Sequence, residues 1–274
     1  MEIAPGFDLI QIPEEDMPGR VYSTNVYLIG HEKLLLLDVG DGTDRHDRIL
    51  FEYLLELGPK RRVEQAVISH SHIGHYGGLT WVRQSMSPGF RAHSAAISLL
   101  EKEGGKDLIK PLQDGEVINI DGEELEVLFT PGHTPDSVCL FHRRRRALFS
   151  ADTILGGSTT TIDDLSAFMN SMTRLLQLEP SVIYPAHGRM IEDGTRTIRE
   201  YIDHRNRREQ QIIEQLQKGP KTTRRLVQIL YADVDKRLHS AARRNVGQHL
   251  KKLEVEGRVG TEGAGARTRY SWKG

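Results

Sequence analysis

Apolar positions fall in short blocks over the first two thirds of the chain and at helical spacing over the last third. Residues 7–12, 21–29 and 34–38 are rich in β-branched and leucine side chains and are punctuated by glycine or charge, which predicts strands. The block Leu34-Leu35-Leu36-Leu37 predicts a buried strand leading to Asp38. Beyond Gly40-Asp41-Gly42, an amphipathic stretch over about 47–57 predicts a helix. Residues 63–69 predict a short buried strand running into a loop, and 79–86 a further helix. Strand-like runs resume near Glu116, with Asp121-Gly122 as a hairpin turn signal, and continue through 124–129, 137–142 and 147–150. Strand-rich segments with helices between them fit two sheets flanked by helices.

The pattern changes near residue 204. Ile212, Ile213 and Leu216 recur at helical spacing, Thr222 and Thr223 can cap a helix carrying Leu226, Val227, Ile229 and Leu230, and Val246, Leu250 and Leu253 point inward from a third helix over about 241–256. Gly257-Arg258-Val259 and a glycine-rich stretch ending in Tyr270-Ser271-Trp272 complete a small winged-helix-like module. Charge divides at the same place. Residues 1–204 hold 20 Lys and Arg against 31 Asp and Glu, a balance of −11, and residues 205–274 hold 17 against 7, a balance of +10. The two domains expected are therefore 1–204 and 205–274, an acidic body and a basic tail, an asymmetry that points to polyanion binding. Arg243, Arg244, Lys251 and Lys252 are the candidates for neutralising phosphates. A solvated helix face on a domain that caps the cleft or docks a neighbouring subunit is the other reading of the same charges. Arg143-Arg144-Arg145-Arg146, between two strand-like runs, reads as an exposed hairpin tip.

Candidate chemistry sits at the ends of the strand-like runs. His70-Ser71-His72-Ile73-Gly74-His75 places three imidazoles within six residues. In extended backbone His70 and His72 point to the same side and can reach one ion together, while His75 faces a neighbouring position. Imidazole is the commonest side-chain ligand for zinc and its relatives. Further ligand types follow in Thr130-Pro131-Gly132-His133-Thr134-Pro135-Asp136-Ser137, in Ser150-Ala151-Asp152-Thr153 and in Tyr184-Pro185-Ala186-His187-Gly188, where active-site loops sit in layered α/β folds.

In order and context these four segments resemble the metallo-β-lactamase superfamily, whose loop reads His-x-His-x-Asp-His and is followed by His, Asp and His. The resemblance implies an αββα sandwich in which His70, His72 and His133 hold a first metal, Asp152 bridges, and His75 and His187 hold a second. Gly74 departs from it, standing where the family supplies a carboxylate to the second metal. The tail segments 204–212 and 245–254, with Gly156-Gly157-Ser158-Thr159 in the body, resemble the β-lactamase-like protein 2 family over nearly the whole chain.

The resemblance implies a hydrolase using a metal-activated water, with one zinc expected, a second doubtful, and manganese or iron as alternatives. Asp152 would orient the water or accept its proton, and His75 and His187 would stabilise the oxyanion directly or through a second metal. The weakened second site favours small acyl or thioester substrates, because phosphodiester cleavage gains most from a complete metal pair. Cleavage of single-stranded RNA is the runner-up, a degenerate-site nucleic-acid-binding protein without catalysis is the third reading, and iron-dependent thiol oxidation is a minority alternative.

The 274 residues, 38% hydrophobic and 27% charged, suffice for one large domain and a small one. No apolar run approaches the roughly 18 residues a membrane span requires, so no membrane partner is expected. The N-terminal residues lack a leader pattern, which makes a cytoplasmic location the expectation, and self-association is left open. The single cysteine, Cys139, reads as a buried strand residue.

Overall fold

The computed structural model describes residues 1–14, 22–105, 107–235 and 239–274. Strands β1 (Glu2–Ala4), β2 (Phe7–Glu14), β3 (Tyr22–Gly30), β4 (Lys33–Leu37), β5 (Arg62–Ile68), β6 (Gly89–Ala92) and β7 (Ile109–Pro111) form a seven-stranded sheet in that order. Its first four strands are antiparallel neighbours, and β4 to β7 run parallel. Parallel neighbours need crossover connections. Helix α1 (Asp44–Glu56) links β4 to β5, α2 (Ile73–Tyr76) and α3 (Leu79–Met86) link β5 to β6, and α4 (Ser94–Gly104) links β6 to β7.

A second sheet is ordered β12 (Val182–Pro185), β11 (Ala147–Ala151), β10 (Val138–His142), β9 (Glu123–Phe129), β8 (Val117–Ile120). The β8–β9 hairpin turns on Asp121 and Gly122, at φ 50° and 85°, the left-handed pair that a two-residue hairpin of this kind demands. Helix α5 (Leu165–Gln177) crosses from β11 to its parallel neighbour β12.

The leucine block explains how the layers are held together. Leu35 and Leu37 enter the core between the sheets with Phe7, Tyr27, Val67, Val127, Leu140 and Phe149. Leu34 and Leu36 enter a second core with Leu50 of α1, Val82 of α3 and Leu100 of α4. Both faces of β4 are thus covered, and every position from Leu34 to Leu37 is apolar for that reason. A third core lies outside the second sheet, where Cys139, Phe141 and Leu148 pack on Phe168, Met172 and Leu175 of α5 and on Ile198. The expected αββα sandwich is what the chain forms.

Ile198 belongs to α6 (Gly194–Gln217), whose N-terminus Asp193 caps by accepting from the Arg196 amide. At about 1.5 Å per residue its 24 residues span roughly 36 Å. The distal half carries Ile212, Ile213 and Leu216 into a fourth core with α7 (Thr223–Leu230), α8 (His239–Val255) and a small sheet of β13 (Lys221–Thr222), β14 (Val259–Glu262) and β15 (Arg269–Trp272). Three helices and a wing result, as the tail pattern predicts. Residues 204 and 205 lie within α6, so one helix serves both cores. The expected start of a strand at Val21 falls outside the described residues.

Arg143, Arg144 and Arg146 are exposed in the turn between β10 and β11, as expected, and Arg145 departs from them. It folds back to donate to Pro5 O at 2.6 Å and to buried Glu123 at 2.9 Å, and it covers the Phe7 ring at 4.3 Å. The carboxylate below it, not solvent, sets its position. Cys139 is fully buried, as expected, and burial pushes its thiol up to about 11. Among the described residues no helix is long and apolar enough to cross a membrane.

Candidate metal centre

Strand β5 ends at Ile68 and the chain bends over residues 70–72, with His72 itself at φ −86° and ψ 140°, before the single turn of α2 begins. The backbone is not the extended run expected, yet His70 Nε2 and His72 Nδ1 meet at 3.0 Å, and the turn brings in His75, its amide donating to His72 O at 2.9 Å. The β9–β10 loop adds His133, the end of β11 adds Asp152, and the loop after β12 adds His187. The ligand atoms sort into two groups. His70, His72, His133 and Asp152 form one, and His75, Asp152 and His187 form the other, the atoms of each lying within 4.8 Å of one another.

Asp152 joins the groups with one oxygen each. Oδ2 lies 3.9 Å from His70 Nε2 and 3.5 Å from His133 Nε2, whereas Oδ1 lies 3.7 Å from His75 Nε2 and 3.3 Å from His187 Nε2. Within the first group His72 Nδ1 stands 3.0 Å from both His70 Nε2 and His133 Nε2. One ring nitrogen carries one proton or one lone pair and cannot satisfy two such neighbours well. Converging lone pairs on a cation resolve that conflict. Asp152 Oδ1 is buried with no hydrogen-bond partner among the described residues, a second sign of a missing positive centre.

The opposite ring nitrogens set the tautomers. His75 Nδ1 donates to Asp38 Oδ2 at 2.8 Å, and His187 Nδ1 donates to Ser23 O at 3.2 Å. His133 Nδ1 donates to Thr161 O at 2.8 Å, with Thr160 Oγ1 at 2.9 Å. His70 Nδ1 meets Ser69 Oγ at 3.0 Å, and that hydroxyl donates to Asp38 Oδ2 at 2.9 Å, so its lone pair is free for the imidazole proton. Each arrangement leaves the inward nitrogen as a lone pair, the form a ligand needs. Burial, with His75, His133, His72 and His187 close by, holds the His70 pKa well below the usual imidazole value, and burial beside His133 lowers that of His72. Neutral rings are ready to ligate. The same tautomers limit His75 and His187, which can stabilise an oxyanion directly only as imidazolium.

Asp38 was not among the candidates, yet it organises the centre. Its carboxylate accepts from the Ser69 amide at 2.7 Å, from Ser69 Oγ and from His75. Its φ of 64°, like the 45° of Ala151 beside Asp152, is costly for a residue with a side chain, and such strain concentrates at functional sites. The His187 loop is anchored by Asn25 Nδ2, which donates to Pro185 O at 2.8 Å and Gly188 O at 2.9 Å, and by Tyr27 OH, which donates to Pro185 O at 2.7 Å. A Cβ on Gly188 would stand 2.0 Å from Gly156 O, so glycine is required for that close approach. Gly74 differs, because a Cβ there meets nothing within 4 Å.

The basic candidates separate. Lys252 is bound to Glu209 at 2.9 Å and Glu256 at 2.8 Å. Arg243 is exposed and lines a groove with Arg224 and Arg267, whereas Lys251 borders a cleft against Asp164 and Ser166 at the start of α5. Arg244 is exposed. The groove-lining Arg224 and Arg267 were missed because one lies on α7 and the other near the wing, with no shared spacing to reveal them.

Residues 19–187 match the Metallo-beta-lactamase superfamily, and residues 222–272 match the Beta-lactamase associated winged helix domain. A Beta-lactamase-like protein 2 homolog of Drosophila melanogaster is 31% identical over 254 residues, covering 86% of this chain and 84% of that protein. An Atrochrysone carboxyl ACP thioesterase of Aspergillus fumigatus is 30% identical over 203 residues, 73% of this chain and 62% of that protein. The crystal structure of a metallo-beta-lactamase family protein from Thermus thermophilus superposes with a TM-score of 0.78 at 24% identity, over 99% of this chain and 100% of that one, and so shares the fold.

Proposed function

Since the chain belongs to the metallo-β-lactamase superfamily, we propose that it is a metal-dependent hydrolase of acyl thioesters, with zinc at the His70, His72, His133 and Asp152 group. The observation that carries the reading is the division of Asp152 between two ligand groups, one oxygen facing each and Oδ1 otherwise unpartnered. A bound ion of this kind supplies a Lewis acid for the acyl carbonyl and lowers the pKa of water toward about 7. The protein's own part is to fix four neutral or anionic donors, with Ser69 holding the outer ring proton of His70 and Thr160 and Thr161 that of His133, away from the reacting atoms. Asp152 is the carboxylate best placed to orient the water and take its proton.

Two features support a thioester over a phosphodiester. The second group has three ligands and no acid at Gly74, and a thiolate leaving group depends less on a second cation. Ile73 and Met190, 59% and 46% exposed, lie one residue beyond His72 and three beyond His187, and in this reading they are the apolar side chains that would meet an acyl chain. The thioesterase relative is consistent with this choice. The groove lined by Arg224, Arg243 and Arg267 favours a second reading, endonucleolytic cleavage of single-stranded RNA.

Release of free thiol from short-chain and long-chain acyl thioesters tests the first reading. His133→Ala should abolish metal-dependent turnover, and Ile73→Asn should raise KM for long-chain substrates more than it lowers kcat. Cleavage of a labelled single strand without any thiol release would favour the second.

A further inference from the structure

The segment running from 153 to 161 touches both ligand groups. Thr160 Oγ1 and Thr161 O are the acceptors beside His133 Nδ1, and the Gly156 amide donates to His187 O at 2.9 Å while Gly156 O accepts from the Arg189 amide at 3.0 Å. Two side chains of α6 hold this segment. Tyr201 OH donates to Ser158 O at 2.7 Å and accepts from the Leu155 amide at 3.2 Å. One turn further along, Arg205 Nη2 donates to Thr160 O at 3.4 Å. Both residues are buried, at 9% and 3% exposure.

Arg205 is an expensive residue to keep there. Among the described residues no carboxylate pairs with it and its Nε has no partner; it rests against the Thr160 carbonyl and 5.9 Å from the Phe168 ring. Burial lowers its pKa, with Tyr201 and Tyr231 opposing that shift. A buried, uncompensated guanidinium costs stability. The tail motif around His204-Arg205, left without a role by the charge reading, meets the Gly156-Gly157-Ser158-Thr159 stretch at this point.

We propose that Tyr201 and Arg205 are positioning residues for the metal ligands: by fixing the Leu155–Thr161 backbone they orient His133 and seat His187, and they tie the ligand geometry to the helix shared with the winged-helix domain. Groups that orient a ligand imidazole characteristically change metal affinity by about 10–100-fold when removed. The inference rests on the metal-centre reading, and the test separates the two.

Chelator-stripped full-length protein is titrated with Co²⁺ alone, and binding is followed through the visible absorption of the ion. Uptake by the unaltered chain is the prerequisite, and its absence overturns the metal reading and this inference together. Given uptake, Tyr201→Phe, which keeps the ring and deletes the hydroxyl, should weaken Co²⁺ binding about tenfold and shift the absorption band. Arg205→Met should act in the same direction, and serves if Tyr201→Phe does not fold. Thr160→Ala combined with Tyr201→Phe should weaken binding less than the product of the two single effects, because both act through His133. A lowered Tm with unchanged Co²⁺ affinity and spectrum in both α6 variants, or fully multiplicative effects in the double variant, overturns the proposal.

Discussion

A glycine in a ligand loop is informative because of what surrounds it. Gly74 has helical neighbours and open space at its Cβ, so the first atom of a side chain meets no obstacle there. Gly74→Asp should raise the metal-to-protein ratio toward two, measured by elemental analysis after dialysis, with no loss of thermal stability. A ratio unchanged by the substitution would show that position 74 does not limit the second group. His70, His72 and His75 were readable because three histidines within six residues at the end of an apolar run are rare without a reason, whereas His133, Asp152 and His187 were legible only through the order of segments that the family resemblance supplies. Asp38, Ser69 and Thr160 were not readable, since a single acid or hydroxyl carries no spacing signal. Asp38 offered only its place at the end of the leucine block, and its role depends on a loop some 31 residues away.

The β-strands around the inner core were the most legible elements. Leu34 to Leu37 and the Asp121-Gly122 turn announce themselves by local composition, whereas α4 and α5 have apolar faces that only the sheet beneath them makes meaningful. Helix α6 shows how far tertiary context reaches, for its charge change at residue 204 suggests a boundary while the backbone continues to 217. In the fourth core Leu250 is fully buried, and Leu250→Ala should cost about 2–5 kcal/mol in a denaturant titration. His249 beside it is 1% exposed, and its pKa is lowered by burial, against the raising influence of Glu209 and with Arg205 and Lys252 adding to the lowering. The folded chain therefore takes up this proton at lower pH than the unfolded chain, whose imidazole titrates near 6.5. The corresponding stability is intact above about pH 6.5 and falls as pH drops below it. Melting curves between pH 7.5 and 5 should show a shallower decline for His249→Gln than for the unaltered chain; equal slopes would contradict the assignment.

On the scale of the whole molecule, an acidic body and a basic tail are joined through α6, and the formal charge of −1 hides both. The basic residues were legible as a count but not as a surface. Lys252 is neutralised by two glutamates, while Arg224 and Arg267 join Arg243 from other elements. The proposed choice of an acyl thioester consequently leans on the metal centre more than on net charge. The most direct test is a titration of the chelator-stripped protein with Zn²⁺, in which bound metal and thiol release from an acyl thioester are followed in the same samples. Turnover should rise with the first equivalent of bound metal and be absent in His72→Ala at every concentration. Thioester hydrolysis that is complete without metal, or a chain that binds no Zn²⁺, would contradict the account.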